Sequence, residues 1–313
     1  MCDLSNPIFH DEAAARAWLE ARIWPHGPVC PKCGVIGEAT LMKGKTTRAG
    51  LYQCNACREP FTVTMGTLYE RSHIPLNKWL AATHLMMASK KGVSSLQLHR
   101  MLGLSKKTAW FMAHRIRESL RPATPRSPLG GANKVVEIDE TYVGGKAANR
   151  KNRIPPKEPV VALVERGGRV RSRHVANVDG ENLAPILKEQ IDKTTYLMTD
   201  DSTVYPPITG DFAGHGTVNH SQEEYVRAYF WHTNTVENYF LILKRGITGV
   251  YHHVSPEHLH RYAAEFDYRY NEREALKVND AERMAKSIHG IVGKRLTYRR
   301  TRSGAEAEAH IPF

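Results

Sequence analysis

The chain has 313 residues, of which 41% are hydrophobic and 24% charged. That is enough for two or three globular domains and a sizeable core. No apolar run approaches the roughly 18 residues of a membrane span, and MCDLSNPIFHDEAAARAWLE has neither the basic nor the apolar part of a secretory signal, so both are excluded as expectations. A net charge of +12 and a pI near 9.5 favour a polyanionic partner, because cations that neutralise phosphates release counterions.

In chain order, HDEAAARAWLEARIW predicts a short helix, with Trp18, Leu19 and Ile23 as its apolar stripe. Residues 26–66 are rich in Gly, Cys, Pro and Thr, as knuckles and short strands are. Residues 76–120 read as helices: LNKWLAATHLMMAS, then SSLQLHRML, then KKTAWFMAHRIRESL. RPATPRSPLGGAN, residues 121–133, is a Pro/Gly/Ser linker. Beyond it the pattern turns to strands. NKVVEIDETYVGG predicts one, and KAANRKNRIPPKEP a basic loop. PVVALVER and RVRSRHVANV, joined at Gly167 and Gly168, predict a hairpin. ENLAPILKEQI predicts a helix and TTYLMTDD a strand, with helices at about 234–245 and 256–272 and a loose tail YRRTRSGAEAEAHIPF. The boundaries expected are a helical lead-in with cysteine-rich module (1–70), a helical region (71–122), a linker (123–133), a mixed α/β region (134–275) and a basic C-terminal helix and tail (276–313).

Four of the five cysteines form two C-x-x-C pairs, Cys30/Cys33 and Cys54/Cys57; Cys2 is left over as a free thiol. With no export signal, such pairs read as metal ligands rather than disulfides. Four thiolates on two knuckles suit one tetrahedral Zn²⁺, and so small and polar a segment would draw folding free energy from the metal.

VSSLQLHRMLGLSKKTAWFMAHRIR predicts a helix, a Gly-containing turn and a second helix, a helix-turn-helix. Val93, Leu96, Leu98, Met101 and Leu102 form the first apolar face, and Leu104, Trp110, Phe111 and Ile116 the next. Ser105 is the expected N-cap of the second helix. Ser105, Lys106, Lys107 and Thr108 would then lie at the exposed start of a groove-reading helix.

Three acids fall at telling places. Asp139 lies in VVEIDETYV, Asp200 ends YLMTDD, and Glu237 lies in the helix TNTVENYFLILKRG. On that helix Asn234, Glu237, Leu241 and Lys244 share one stripe. A strand with an acid, a hairpin, a helix, a second acid-bearing strand and an acidic helix is the order of a ribonuclease H-like fold. There the first and fourth strands are neighbours and their carboxylates would converge. Such carboxylates repel unless a cation sits between them, and hard oxygen ligands select Mg²⁺ or Mn²⁺. Each acid has a rival. Glu140 would point to the opposite face from Asp139. Glu137 shares Asp139's face but lies nearer the strand's beginning. Asp201 could cap a following helix, and Asn234 could be an outer ligand.

Taken together, CPKCG, YQCNACREPFTVTMGT, PLNKWL, the helix-turn-helix segment, VEIDETYVGG, MTDD, HTNTVENYFLILKRGITGVYHHVS and FDYRYNER resemble the insertion-sequence DDE transposases with an N-terminal zinc ribbon, the ISXO-like group. The resemblance covers roughly residues 28–273. It implies a multidomain α+β chain of zinc ribbon, helix-turn-helix and ribonuclease H-like catalytic domain. It also implies a metal-dependent nuclease and strand-transferase in which Asp139, Asp200 and Glu237 hold Mg²⁺ or Mn²⁺ and Lys244 assists, touching DNA phosphate. Water would cut the element's end to release a 3′-hydroxyl, which would attack target DNA directly. The expected partner is double-stranded DNA, both terminal repeats and target, bound by a homo-oligomer in a prokaryotic cytoplasm. Lys146, Arg150, Lys151, Arg153 and Arg245 are further candidate DNA contacts. His252 and His253 read as structural or phosphate-contacting rather than metal-binding. Two rivals stay open: a DNA-binding regulator without chemistry, and a structure-specific nuclease that cuts without joining.

Overall fold

The computed structural model describes residues 4–122, 127–144, 157–218 and 230–297. The chain divides into two compact units, one formed by residues up to Pro125 together with those from Lys277 onward, the other by Arg126–Leu276. The expected segments 1–70, 71–122 and 276–313 thus gather in one unit. The second unit is inserted between them in sequence.

In the first unit, α1 (Glu12–Ile23) is capped by the Asp11 carboxylate, which accepts from the Ala13 amide. β1 (Ala39–Leu41), β2 (Tyr52–Cys54) and β3 (Pro60–Phe61) make a small antiparallel sheet in that order. Its core is one aromatic triangle of Trp24, Tyr52 and Phe61, with ring centroids 5.5 to 5.8 Å apart. So slight a core is what a metal must supplement.

Three helices follow, α2 (Leu76–Ala88), α3 (Ser95–Leu102) and α4 (Lys106–Leu120). Trp79, Leu80, Met86, Met87, Leu98, Met112 and Ile116 are buried between them and their neighbours. Leu96 and Met101 are instead half exposed, at 52% and 51%, so they do not belong to the apolar face expected of α3. α3 ends on Gly103, whose φ of +61° and ψ of 39° place it in the left-handed region that ends helices and that glycine enters without a Cβ penalty. Ser105 then caps α4, its Oγ accepting from the Thr108 amide at 3.1 Å. The C-terminal α8 (Asp280–His289) packs on α2 and starts with a full capping box, Asn279 with Glu282. The segment after it pairs with the ribbon's end through a Thr67–Val292 bridge.

The second unit is a five-stranded mixed sheet. Its strands are β4 (Val135–Gly144), β5 (Lys157–Glu165), β6 (Val170–His174), β7 (Tyr196–Asp200) and β8 (Gly214–Val218), in the order β6-β5-β4-β7-β8. The first three are an antiparallel meander; β7 runs parallel to β4, and β8 parallel to β7. α5 (Gly180–Gln190) covers one face, where Leu183, Ile186 and Leu187 meet Val136, Ile138, Val161, Leu163 and Leu197. α6 (Asn234–Gly246) and α7 (Pro256–Asn271) cover the other, where Val236, Tyr239, Phe240, Leu243 and Phe266 meet Val160, Ala162, Val164 and Val170. The alternation of β4 between these two layers aims its odd-numbered residues 137–141 toward the α6 side.

Four further departures from the expected pattern appear. β8 is a strand the sequence pattern does not announce, since GHGTV is glycine-rich and short. Gly216 is required there because the Trp231 ring lies where a Cβ would stand. Leu129, expected in the linker, is buried and bonded to the end of α5, its amide donating to the Gln190 carbonyl at 2.7 Å. β5 begins at Lys157, inside the expected loop. Asp201 caps no α-helix: the next turn, Pro206–Ile208, is a short 3₁₀ segment that Tyr205 precedes, and Asp200 accepts from the Ser202 amide instead.

Candidate active site

The four cysteines converge. One sulfur from each lies within 4.8 Å of the other three, with Cys30–Cys57 at 3.7 Å and Cys33–Cys54 at 3.6 Å. Four sulfurs around a tetrahedral zinc at a Zn–S distance of about 2.3 Å stand about 3.8 Å apart, so the donor set and its spacing fit Zn²⁺. The Cys57 amide is the largest influence on the Cys54 thiol. With the Ala56 amide and against burial, it lowers that thiol, while the neighbouring Cys33 and Cys57 thiols are raised: four clustered thiols do not all give up their protons until a cation joins them. Cys2 lies outside the described residues.

The acids gather at the other unit's sheet. Asp139 sits midway along β4, Asp200 at the end of the neighbouring β7, and Glu237 in the first turn of α6. Burial pushes Asp139 up to about 7, and the charges of Glu140, Asp200 and Glu237 add to that push against the opposing Glu140 amide, which donates to Asp139 Oδ1 at 2.8 Å. The charges of Asp200, Glu237 and Glu140 therefore all reach Asp139. Among the described residues, the cysteines are the sole set of three or more such ligand atoms that close within 4.8 Å of one another; the acids stand more open.

Glu140 takes a 2.6 Å hydrogen bond from the hydroxyl of Tyr205, a residue of the α5-side core. Burial raises the Glu140 carboxyl, which that bond opposes and Asp200 reinforces. Tyr205 is itself fully buried, and burial together with Glu140, Asp139 and Asp200 raises its hydroxyl far out of the physiological range, so it remains a donor. Glu137, the other rival, is buried at 0% exposure and binds the start of α6 rather than facing the open site. Sequence spacing identified both acids, but nothing in it signals Tyr205 or the partners of Glu137.

On α6 the stripe Asn234, Glu237, Leu241 and Lys244 is exposed throughout, and so is Arg245. Glu237 accepts from the Thr233 hydroxyl at 3.0 Å. Seven residues at about 1.5 Å each set Lys244 roughly 10 Å along the axis from Glu237. α6 runs into a π-helical turn, Ile247–Tyr251, which His252 ends with φ +61° and Nδ1 3.0 Å from the Thr248 carbonyl. His252 and His253 are exposed. In the first unit Ser105, Lys106 and Lys107 are exposed at the start of α4, and Thr108 is half-buried. Lys146, Arg150, Lys151 and Arg153 lie outside the described residues. No helix among the described residues is long and apolar enough to cross a membrane.

Comparison with known families places both the cysteine knuckle and the carboxylate-bearing sheet in transposase domains. Residues 10–59 match the transposase zinc-ribbon domain, and residues 128–271 match the ISXO2-like transposase domain. The chain thus carries an ISXO2-like transposase domain behind an N-terminal transposase zinc-ribbon domain. It is 28% identical over 281 residues to an uncharacterized protein in transposable element ISH50 of Halobacterium salinarum, across 83% of this chain and 91% of that one. Among solved structures it is similar to a chain of the simian T-cell lymphotropic virus intasome in complex with PP2A regulatory subunit B56 gamma. The identity is 13%, over 55% of this chain and 63% of that one, at a TM-score of 0.28, a likeness too distant to bear on fold or activity.

Proposed function

We propose that this chain is a transposase that binds the ends of its insertion sequence and carries out cleavage and strand transfer at Asp139, Asp200 and Glu237. The observation that carries the reading is the placement of those three carboxylates on β4, its neighbour β7 and the first turn of α6, within the matched transposase domain, where the charges of Asp200 and Glu237 both reach Asp139. The strand order, with the first strand between the second and the fourth, is that of a ribonuclease H-like fold. A half-buried carboxyl pushed up to about 7 by burial first, with like charges adding to it, is a place where a cation relieves both costs, so the residues fit Mg²⁺ or Mn²⁺. When bound, such ions supply the charge that an in-line phosphoryl displacement needs at its attacking and leaving oxygens.

The chain's own residues do the positioning. Lys244 and Arg245 extend the exposed face of α6 away from Glu237 as phosphate contacts, so that DNA lying along α6 brings a scissile phosphate to the acids. α3 and α4 form a helix-turn-helix whose second helix offers Ser105, Lys106, Lys107 and Thr108 to the major groove of the terminal repeat. The zinc ribbon adds a second DNA-binding element, and two ends brought together require at least two copies of the chain. Lys146, Arg150, Lys151 and Arg153 supply further phosphate contacts.

A joining assay with the element's own ends tests this. Asp139→Asn, Asp200→Asn and Glu237→Gln each reduce Mg²⁺-dependent cleavage and joining to background while end binding persists. Full activity in any of them overturns the assignment of that residue. Wild-type cleavage without joining marks a nuclease, and binding with neither marks a regulator.

A further inference from the structure

We propose that Glu137 is a positioning residue for the carboxylate site: its buried side chain fastens the first turn of α6, which carries Glu237, to the strand that carries Asp139. This rests on the metal-site reading above and goes beyond it, because Glu137 does not touch the metal or the DNA.

α6 lacks a cap of its own. Thr233 stands at its N-cap position and makes no side-chain cap bond, so the first amides of the helix need another acceptor. Glu137 supplies it from β4. Its Oε2 accepts from the amides of Thr235 at 2.7 Å and Val236 at 3.0 Å. Its Oε1 accepts from the Thr235 hydroxyl at 2.9 Å and from Arg166 Nε at 2.6 Å, and His232 Nδ1 lies 3.2 Å from it. A carboxylate at a helix N-terminus is also favoured by the helix dipole.

A local Thr or Ser cap would satisfy the same amides without tying the helix to anything. A cap reaching in from the sheet sets where the helix begins relative to the strand. Asp139 follows Glu137 by two residues on the same face of β4, and Glu237 follows Thr235 by two residues in α6. One side chain thus ties the two elements together two residues before each of the acids. Arg166 locks the approach as well: its other nitrogens donate to the Phe230 carbonyl at 2.8 Å and the His232 carbonyl at 2.7 Å, just ahead of the helix. The signal was present in the sequence as a second acid on Asp139's strand face; its partners became visible only in three dimensions.

The test compares wild type with Glu137→Gln, Thr235→Val and Asp139→Asn, reading Mn²⁺ binding by the full chain without DNA and the joining rate in Mg²⁺ and in Mn²⁺. Glu137→Gln keeps the volume but turns an amide NH₂ onto donors, shifting the helix start. The expected result is Mn²⁺ binding weakened about tenfold or more, and joining reduced on the order of a hundredfold in Mg²⁺, as for a misplacement of about 1 Å. The loss in Mn²⁺ is smaller, because Mg²⁺ demands near-ideal octahedral ligands. A loss of fold would lower both rates together and leave their ratio unchanged. Thr235→Val removes one bond without stranding a buried charge and moves the same readouts in the same direction by less; it decides the matter if Glu137→Gln does not fold. Wild-type Mn²⁺ affinity and an unchanged Mg²⁺ to Mn²⁺ ratio in a folded Glu137→Gln overturn the inference alone. Unchanged Mn²⁺ binding in Asp139→Asn overturns the metal site itself, and the inference with it.

Discussion

The guanidinium of Arg283 donates to the backbone carbonyl of Met87 at 3.0 Å, joining residues 196 positions apart in the chain. Met87 lies in the last turn of α2, where helix carbonyls lack intrahelical partners and a cation is favoured. Arg283 also donates to the Val278 carbonyl at 3.2 Å and pairs with Asp280 at 2.6 Å. Further along, Lys294 plays the same part at the end of α4, donating to the carbonyls of Glu118 and Arg121. The first unit is therefore completed by the segment that carries Arg283 and Lys294. Ending the chain at residue 276 should unfold or strongly destabilise the α2–α4 helices. Arg283→Met should cost about 1–3 kcal/mol, the penalty for orphaned buried carbonyls. Urea denaturation followed by far-ultraviolet dichroism checks both, and a truncated chain with wild-type helix stability would contradict the assignment.

Metal removal should act on the ribbon alone. Its three short strands share one aromatic triangle, too little apolar surface to offset the ordering of about thirty residues. A chelator, or Cys57→Ser, should expose Trp24 and open the amides of residues 28–61 to hydrogen exchange. Amides of β4 and β7 should keep their protection. Protected ribbon amides after zinc is stripped would show that the module folds without metal.

The Tyr205–Glu140 bond gives a double-mutant test. Tyr205→Phe removes the donor and leaves Glu140 half-buried among like charges, at a cost of about 1–2 kcal/mol in the metal-free protein. In a Glu140→Gln background the same change should cost much less, because the charge it served is gone. Equal costs in both backgrounds would mean that Tyr205 acts through packing only.

How much of this could be read from residues alone follows from where the physics is local. The cysteine spacing, Gly103 with Ser105, and the strand VVEIDETYV each carry their reasons within a few residues, and their elements stand where that reasoning put them. β8 was invisible because GHGTV takes its strand form from pairing with β7, a neighbour that local pattern does not name. Leu96 and Met101 fit an apolar stripe by spacing, yet an eight-residue helix packed on one side leaves them in solvent. Glu137 and Glu140 differ by three positions and look equally exposed as letters. One is a helix cap and the other takes a tyrosine's proton donor, because their partners lie 98 and 65 residues away.

His215, on β8, should make the second unit lose stability toward acid. The Thr199 hydroxyl donates to the Asp200 carbonyl at 2.7 Å and so meets His215 Nε2, 2.9 Å away, as an acceptor; Thr209 Oγ1 lies 3.1 Å from Nδ1. Burial pushes the ring's pKa below the ordinary value of 6.5. With the folded value depressed, the unfolded chain binds the extra proton first as pH falls. Stability from this group is complete above about 6.5, is lost as pH drops from there to the folded pKa, and changes no further below it. His215→Gln keeps an amide donor toward Thr199 and cannot titrate. Hydrogen exchange of the β7 and β8 amides between pH 5 and 7.5, corrected for the intrinsic pH dependence of exchange, should show protection falling with pH in the wild type and a flatter profile in the variant. Parallel profiles would place the titration elsewhere; a steeper variant profile would reverse the sign argued here.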